Sequence, residues 1–496
     1  MNNSRSTRRS FNRWQPEVVA DRCLFPSLGS VSVPPCLRGV LLSIAAALCV
    51  VQSTVADDIK KNPLYARLKA AIDAVPAIDT HDHLQPFAQL PFRDKTDRGE
   101  AMTLHSVWRG SYYPWINPLA PWPDGGSFDD WWAKAQHNFD DARATSFYRY
   151  LLPAFRDLYG VDFDTITIDQ ARELNNKIVA NYQNDKWLRE VITERANIEL
   201  MFIDPYWARL QFERAYPFSV PVLNVTMLVK GTHASVYANA LDSPYVFAER
   251  NGLSITTLDD YLSVIEAIFV KAVAADTACL KSTLAYERTL DFANVPKERA
   301  AAAFGRRPDE LTPGQQKDFE DFIFWRITEL SARHDLPFQI HTGQARIQGS
   351  NPMLLVDLIA VNPKTKFVLF HGGFPWVGET GVIAMRYKNV WVDSVWLPSL
   401  SYTMAKRAYQ EWLEVMPSDR IMWGADTVQA EGIYAATEFT RQCLAEALAE
   451  KVDRGELRED HAATIGRQIM RDNALRLFPK LKRQLWRRPD SSPPPG

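Results

Sequence analysis

From residue 75 onward the chain repeats one pattern eight times: a short apolar run, followed by a stretch whose apolar residues have helical spacing. The runs are 75–81, 197–204, 220–228, 277–281, 337–341, 366–371, 389–393 and 420–425. A strand with one face in water alternates apolar with polar residues, so near-continuous apolar runs point to strands covered on both faces, as in parallel sheets. Parallel neighbours must be joined by a crossover, usually a helix. Leu258 to Ala274, Gln315 to His334 and Tyr434 to Arg454 carry the i, i+3, i+4 apolar spacing such a helix needs. Eight units of this kind predict an α/β fold, a distorted (β/α)8 TIM barrel. With 46% hydrophobic residues in 496, the chain has the material for a core of that size.

The spacing breaks once. Roughly 110 residues separate the first two runs, far beyond an ordinary βα loop. This gap holds Trp108, Tyr112, Tyr113, Trp115, Trp122, Trp131 and Trp132, then amphipathic helical sequence from Asp141 to Glu194. A loop leaving the C-terminal end of a barrel strand emerges on the face where active sites form. Residues 84–195 are therefore expected to be a large helical insertion after strand 1, a lid over the barrel mouth. Some of its aromatics would wall a pocket and others would pack as core.

Both ends read differently from the middle. Arg5, Arg8, Arg9 and Arg13 precede the apolar run Leu41 to Val51, which has the length of a signal-peptide core and is too short to span a bilayer comfortably. Thr54-Val55-Ala56 offers short side chains where a signal peptidase cleaves, so residues 1–56 are read as an export signal. Thr7-Arg8-Arg9-Ser10-Phe11 is similar to a twin-arginine motif, although it lies far from the apolar run. The expected location is periplasmic or secreted, with no membrane span in the mature chain. Cys23, Cys36 and Cys49 would leave with the signal, and Cys279 and Cys443 form no disulfide framework. Residues 57–482 are assigned to the barrel and 483–496 to a disordered Pro/Ser-rich tail. Lys plus Arg (57) and Asp plus Glu (59) nearly balance, leaving no basic excess for nucleic acid. The expected partner is a small-molecule substrate, and a homo-oligomer is left open.

The chemistry is concentrated at strand ends. In Ile78-Asp79-Thr80-His81-Asp82-His83-Leu84, side-chain alternation turns His81 and His83 to one side and Asp82 to the other. Two imidazoles on one face can grip a metal ion. The run 337–341 ends in His341 before Thr342-Gly343, and the run 366–371 ends in His371 before Gly372-Gly373. The last run, Ile421-Met422-Trp423-Gly424-Ala425, is followed by Asp426. Four strands thus carry metal-ligand residue types at tips that converge in a barrel. Asp79, one layer deeper than His81, is read as orienting a ligand imidazole. His105, His137, His233, His334 and His461 sit at no strand tip and are read as surface or core residues; His137 is the one placed to hang over the mouth.

The series HDHL, HTGQ, HGGFPW and WGADT resembles the amidohydrolase superfamily, in its amidohydrolase-related (amidohydrolase-2) branch. The stretch Asp185 to Tyr206 is similar to the matching part of uronate isomerases. The resemblance implies a barrel holding one or two divalent ions, zinc or manganese. It implies His81, His83, His341 and Asp426 as metal ligands, with Asp426 also catalytic as a proton acceptor. His371 would bind a second ion or polarise the substrate as a catalytic residue. Lys281, at the tip of strand 4, would be a carboxylated metal bridge, an ammonium anchoring a substrate anion, or a structural ion pair. Tyr286 and Arg288, in the same segment, join Lys281 as candidate substrate-binding residues; Arg288 offers the bidentate grip that lysine lacks.

The expected activity is a metal-dependent hydrolase, with water attacking a carbonyl of an amide, a lactone or a related C–N or C–O bond in a small anionic molecule. A non-oxidative decarboxylase and a uronate-isomerase-like enzyme use the same scaffold. A non-catalytic binding protein with a structural metal is the alternative from another class; a structural site is closed by four protein ligands, whereas a catalytic one keeps a position open.

Overall fold

A computed structural model describes residues 59–485, so the expected export signal lies outside the described residues, as does the tail from 486. Eight parallel strands follow one another in sequence order: β1 Ala77–Asp82, β2 Ile198–Ile203, β3 Ser219–Asn224, β4 Cys279–Ser282, β5 Phe338–Ile340, β6 Phe367–Leu369, β7 Val390–Asp393 and β8 Ile421–Met422. Each of the eight apolar runs overlaps one of them, with Asp82, Ser219 and Ser282 lying one residue outside. The strands are short, and the seam between β8 and β1 is closed by backbone hydrogen bonds rather than a regular ladder. Thr80 N donates to Trp423 O at 3.3 Å, Asp426 N to His81 O at 3.0 Å and His83 N to Thr427 O at 2.9 Å. The β1–β2 register also slips between Asp79 and Asp82, where the barrel departs from regular geometry. The result is a distorted (β/α)8 barrel.

Two apolar layers hold it. Inside the barrel, Ile78, Phe202, Val220, Cys279, Val368 and Met422 pack together. The floor of that core is closed by the C-terminal segment: Leu477, Phe478 and Leu481 join the cluster, and the Phe478 ring meets Phe202 at 5.0 Å. Ordered structure runs past the expected boundary at 482, because Leu481–Leu485 is helical and Gln484 donates to Asp276 O at 3.0 Å. The outer layer lies between strands and helices. Crossover helices Leu258–Ala274 and Pro313–His334 each begin with a capping box, at Thr257 and Thr312, which satisfies N–H groups that the first turn leaves free. Gly343, just past the β5 tip, is glycine for a steric reason: its φ is +68° and a Cβ would lie 2.1 Å from Phe374 O.

The insertion between β1 and β2 forms a two-stranded ribbon (Asp94–Thr96 with Gly99–Ala101) and a series of short helices. It carries its own aromatic core around Trp108, whose ring meets Phe139 at 4.7 Å, Phe163 at 5.1 Å and Tyr148 at 5.5 Å. Trp131 and Trp132 are buried with it. The insertion is tied to the helix Ala430–Asp453 by one buried carboxylate. Glu431 accepts from Tyr159 Oη and Tyr182 Oη, both at 2.5 Å, and from Trp187 Nε1 at 3.2 Å. No helix among the described residues is long and apolar enough to cross a membrane.

Candidate functional site

The tips of β1 and β8 bring three ligand-type side chains together. Nε2 of His83 lies 3.2 Å from Oδ1 of Asp426, and Nε2 of His81 lies 3.6 Å from the same oxygen. Each of the three contributes a ligand atom, and these all fall within 4.8 Å of one another. Bonds of roughly 2.0–2.2 Å to a shared cation put neighbouring ligand atoms about 3–3.6 Å apart, so the spacing fits a divalent ion. The donor set fits as well: imidazole nitrogen and carboxylate oxygen suit zinc and manganese alike.

The protein orients these groups from behind. His83 Nδ1 sits 3.2 Å from the backbone carbonyl of Asp204, at the tip of β2, which directs Nε2 toward Asp426. The Asp204 carboxylate is held by Asn224 Nδ2 at 2.9 Å. Asp79 does not touch an imidazole, contrary to expectation. Its Oδ1 accepts from the backbone N–H groups of His81 and Ala425, both at 3.1 Å, so it fixes the backbone of the β1 tip to the end of β8. Asp82 Oδ1 does the same one step higher, accepting from His83 N at 2.8 Å and Thr427 N at 2.9 Å.

His341, the expected fifth-strand ligand, faces the same cavity but stands outside the compact trio. Its Nε2 is buried with no partner among the described residues, and its Nδ1 lies 2.8 Å from His371 Nε2. His371 is therefore withdrawn from the cavity. It stands behind His341, with Nδ1 3.2 Å from Val395 O and 3.8 Å from Asp426 Oδ2. The expectation has it bind an ion or polarise the substrate; in this arrangement its contact with the site runs through His341 and Asp426. Backbone strain gathers at these tips, where His371, Trp396 and Asp426 adopt left-handed φ of 59°, 63° and 57°. Non-glycine residues take that conformation at an energetic cost, and such residues cluster at functional sites.

Electrostatics differ among the imidazoles: burial opposes protonation of His83, but the hydrogen bond and charge of Asp426 raise it from its usual value. Burial, reinforced by neighbouring charge, holds the His81 and His341 imidazoles well below their usual range, and burial lowers His371 to about 3. All three are neutral near pH 7, as a metal-binding imidazole must be. Burial opposes ionisation of Asp426, but its hydrogen bond with His83 prevails and keeps its carboxyl well below the ordinary value. Lys281, at the β4 tip, is desolvated and lowered to about 8. Its Nζ has no hydrogen-bond partner and lies 3.6 Å from the centre of the Phe370 ring. The charges of Asp204, Asp426 and Asp393 oppose that lowering without a direct hydrogen bond to it.

A cavity of about 500 Å³ opens above these groups. Tyr286 lines it, with its ring 4.4 Å from His341. Arg288 does not. It is bound to Glu320 at 3.0 Å and Asp321 at 2.5 Å and stacks on Phe292, bordering a separate polar cavity. A guanidinium already holding two carboxylates has no free face for a substrate, so the expected anchor role is corrected to a structural one. His137 is likewise away from the mouth, 75% exposed beside Asp140. Of the insertion's aromatics, Tyr112 and Trp115 reach the cavity, whereas Trp108, Trp131 and Trp132 pack internally. Tyr112 Oη donates to Asp426 O at 2.6 Å, tying the insertion to the metal-ligand loop. Sequence reasoning missed Asp204, Arg109, Tyr206 and Thr283, all on the cavity wall. The strand-tip argument reaches Asp204, which directly follows Ile203 in β2; Arg109 belongs to an insertion helix and has no such signal.

Comparison with known proteins agrees with this architecture. Residues 263–480 match the family model described as amidohydrolase. A curated relative, Protein fluG of Emericella nidulans, is 27% identical over 271 residues; the alignment covers 50% of this chain, which spans only 31% of that protein. A solved uronate isomerase from Thermotoga maritima shares the fold with a TM-score of 0.64 at 16% identity, over 84% of this chain and 98% of its own. A glucuronate isomerase from Caulobacter crescentus gives 0.65 at 17% identity, over 88% and 97%. A putative metal-dependent hydrolase from Lactobacillus casei gives 0.59 at 18% identity, over 84% and 98%.

Proposed function

We propose, from the amidohydrolase match and the site geometry, that this protein is a metal-dependent hydrolase of a small anionic molecule, cleaving an amide, lactone or related C–N or C–O bond. The observation that carries this reading is the trio His81, His83 and Asp426, spaced for one cation beneath a roomy cavity. Those three would hold the ion, with the unpartnered Nε2 of His341 as a further donor. Zinc or manganese bound there supplies a water acidified toward neutral pH and a Lewis acid for the carbonyl oxygen.

The chain's own residues do the rest. Asp426 has one oxygen toward the two imidazoles and the other toward His371, a position from which it accepts the proton of the attacking water. As the C–N or C–O bond breaks, Asp426 returns that proton to the departing atom, so no net proton is consumed at the site. Lys281 Nζ, on the cavity wall, meets a substrate anion or, once carboxylated, a second ion.

The test is replacement of Asp426 by Asn. Turnover should fall by roughly 10²–10⁴-fold, the usual worth of a positioned proton-transfer group, while circular dichroism stays unchanged. Full activity in that variant would overturn the scheme. Chelation should abolish activity, and zinc or manganese should restore it. One specific observation favours a second reading, a uronate-isomerase-like enzyme: the shared fold with those isomerases covers 84% and 88% of this chain. Assay of uronate isomerisation beside amide and lactone hydrolysis separates the two. We also infer that residues 1–56 direct export, which N-terminal sequencing of the mature protein checks.

A further inference from the structure

The cavity above the metal-ligand trio carries a cation whose role nothing so far explains. Arg109 closes the helix Leu104–Arg109 of the insertion and lines the cavity. Its guanidinium rests over the Phe92 ring at 5.5 Å and has no hydrogen bond or ion pair among the described residues. The guanidiniums bordering the neighbouring polar cavity are committed: Arg288 holds Glu320 and Asp321, and Arg346 donates to Glu287 O at 2.7 Å.

Its position is fixed by the fold. Gln429, in the loop after β8, donates to Val107 O at 2.6 Å. The packing there is close, since a Cβ on Gly110 would stand 2.5 Å from Gln429 Oε1 and 3.1 Å from Phe92, so that a larger residue would have to displace the Gln429 side chain. The helix end is thus pressed onto the loop that bears Asp426. A guanidinium held on a ring face, with its donors open, is prepared for a carboxylate.

The rest of the wall limits what that carboxylate is attached to. Phe92, Tyr112, Trp115, Tyr206 and Tyr286 present rings to the space. Three of the wall's hydroxyls are engaged, Ser111 Oγ donating to Trp108 O at 2.7 Å, Tyr112 Oη to Asp426 O at 2.6 Å and Thr283 Oγ1 lying 2.9 Å from Thr226 Oγ1, while Thr427 Oγ1 is buried without a hydrogen-bond partner among the described residues. Five ring faces suit a ligand that is itself flat. We propose that Arg109 is the residue that selects the substrate, and that the substrate is a flat, largely apolar carboxylic acid whose carboxylate pairs with Arg109 while its scissile carbonyl meets the trio. This rests on the hydrolase reading for the second half of that statement only.

The test uses the metal-loaded full chain and calorimetry with three probes: 4-acetamidobenzoate, its neutral analogue 4-acetamidobenzamide, and glucuronate. Wild type should prefer the acid over the neutral amide by roughly tenfold or more, the worth of a charge-assisted hydrogen bond. Arg109→Gln should erase that preference at unchanged metal content, and Arg109→Lys should restore part of it. In turnover, Arg109→Gln should raise KM with kcat preserved. Equal preference in wild type and Arg109→Gln, tighter binding of glucuronate than of the flat acid, or no binding of the acid by wild type would each overturn the proposal. Arg109-dependent binding by a chain that takes up no metal would sink the hydrolase reading and leave the anchor standing.

Discussion

At the scale of single residues, the site separates groups that touch the cavity from groups that hold them in place. His371 belongs to the second kind, because its Nε2 meets His341 Nδ1 at 2.8 Å rather than open space. His371→Ala should weaken metal binding by roughly 10–100-fold, the usual effect of removing a partner behind a ligand. Competition with a chromophoric chelator measures it; unchanged affinity would show that His341 needs no support. Arg288 makes the opposite case. Its side chain is 11% exposed and its partners Glu320 and Asp321 are 7% and 1% exposed. Arg288→Met takes the cation from Glu320, which among the described residues keeps only Gln316 at 2.9 Å, and one of two cations from Asp321, which keeps Lys317 at 2.6 Å, and should destabilise the fold by about 1–3 kcal/mol. Substrate KM should not move, since Arg288 borders another cavity. A raised KM with intact stability would restore it as an anchor. From the sequence both were plausible site residues; what separates them is neighbours thirty-odd positions away in the chain.

At the scale of elements, the insertion is held over the barrel by buried and half-buried polar contacts. Glu431 takes three donors from it: Tyr159, Tyr182 and Trp187. Glu431→Ala would leave them without their acceptor, each such loss being worth about 1–3 kcal/mol. The urea midpoint should drop, and Trp fluorescence should report loosening of the insertion before the barrel unfolds. A single transition at the wild-type midpoint would mean that the carboxylate is dispensable. The eight strands were legible because buried parallel strands need continuous apolar runs, and the crossover helices because one face must be apolar. The interior of the insertion was legible only in part. The amphipathic stretch 141–194 does carry helices, Leu152–Tyr159 and Ile168–Asn181 among them, but the segment before it is set by aromatic packing around Trp108, which leaves no periodic trace.

For the whole molecule, burial of acids beneath the site makes stability depend on pH. Burial raises Asp79 to about 7 and Asp393 to about 6. An unfolded Asp titrates near 3.9, so the folded chain retains protons that the unfolded chain releases above about pH 4. Their stabilisation is present below that pH and is lost as pH rises through about 6 to 7. The neutral histidines act in the other sense, because His81, His341 and His371 are lowered and stability is gained as pH rises toward their unfolded value of about 6.5. The acid contribution is therefore read as a difference. In chelator-treated protein, the urea midpoint of Asp79→Asn relative to wild type should climb from about pH 5 to about pH 8; a constant difference would refute it. The amino-acid order alone determined the barrel and the convergence of His81, His83, His341 and Asp426, because strand periodicity and strand ends are local properties that a parallel barrel carries to one point. Only the tertiary structure decided which cation faces the cavity and which is buried in ion pairs, and that His371 stands behind His341. Those outcomes depend on contacts between segments distant in the chain, which no local pattern encodes.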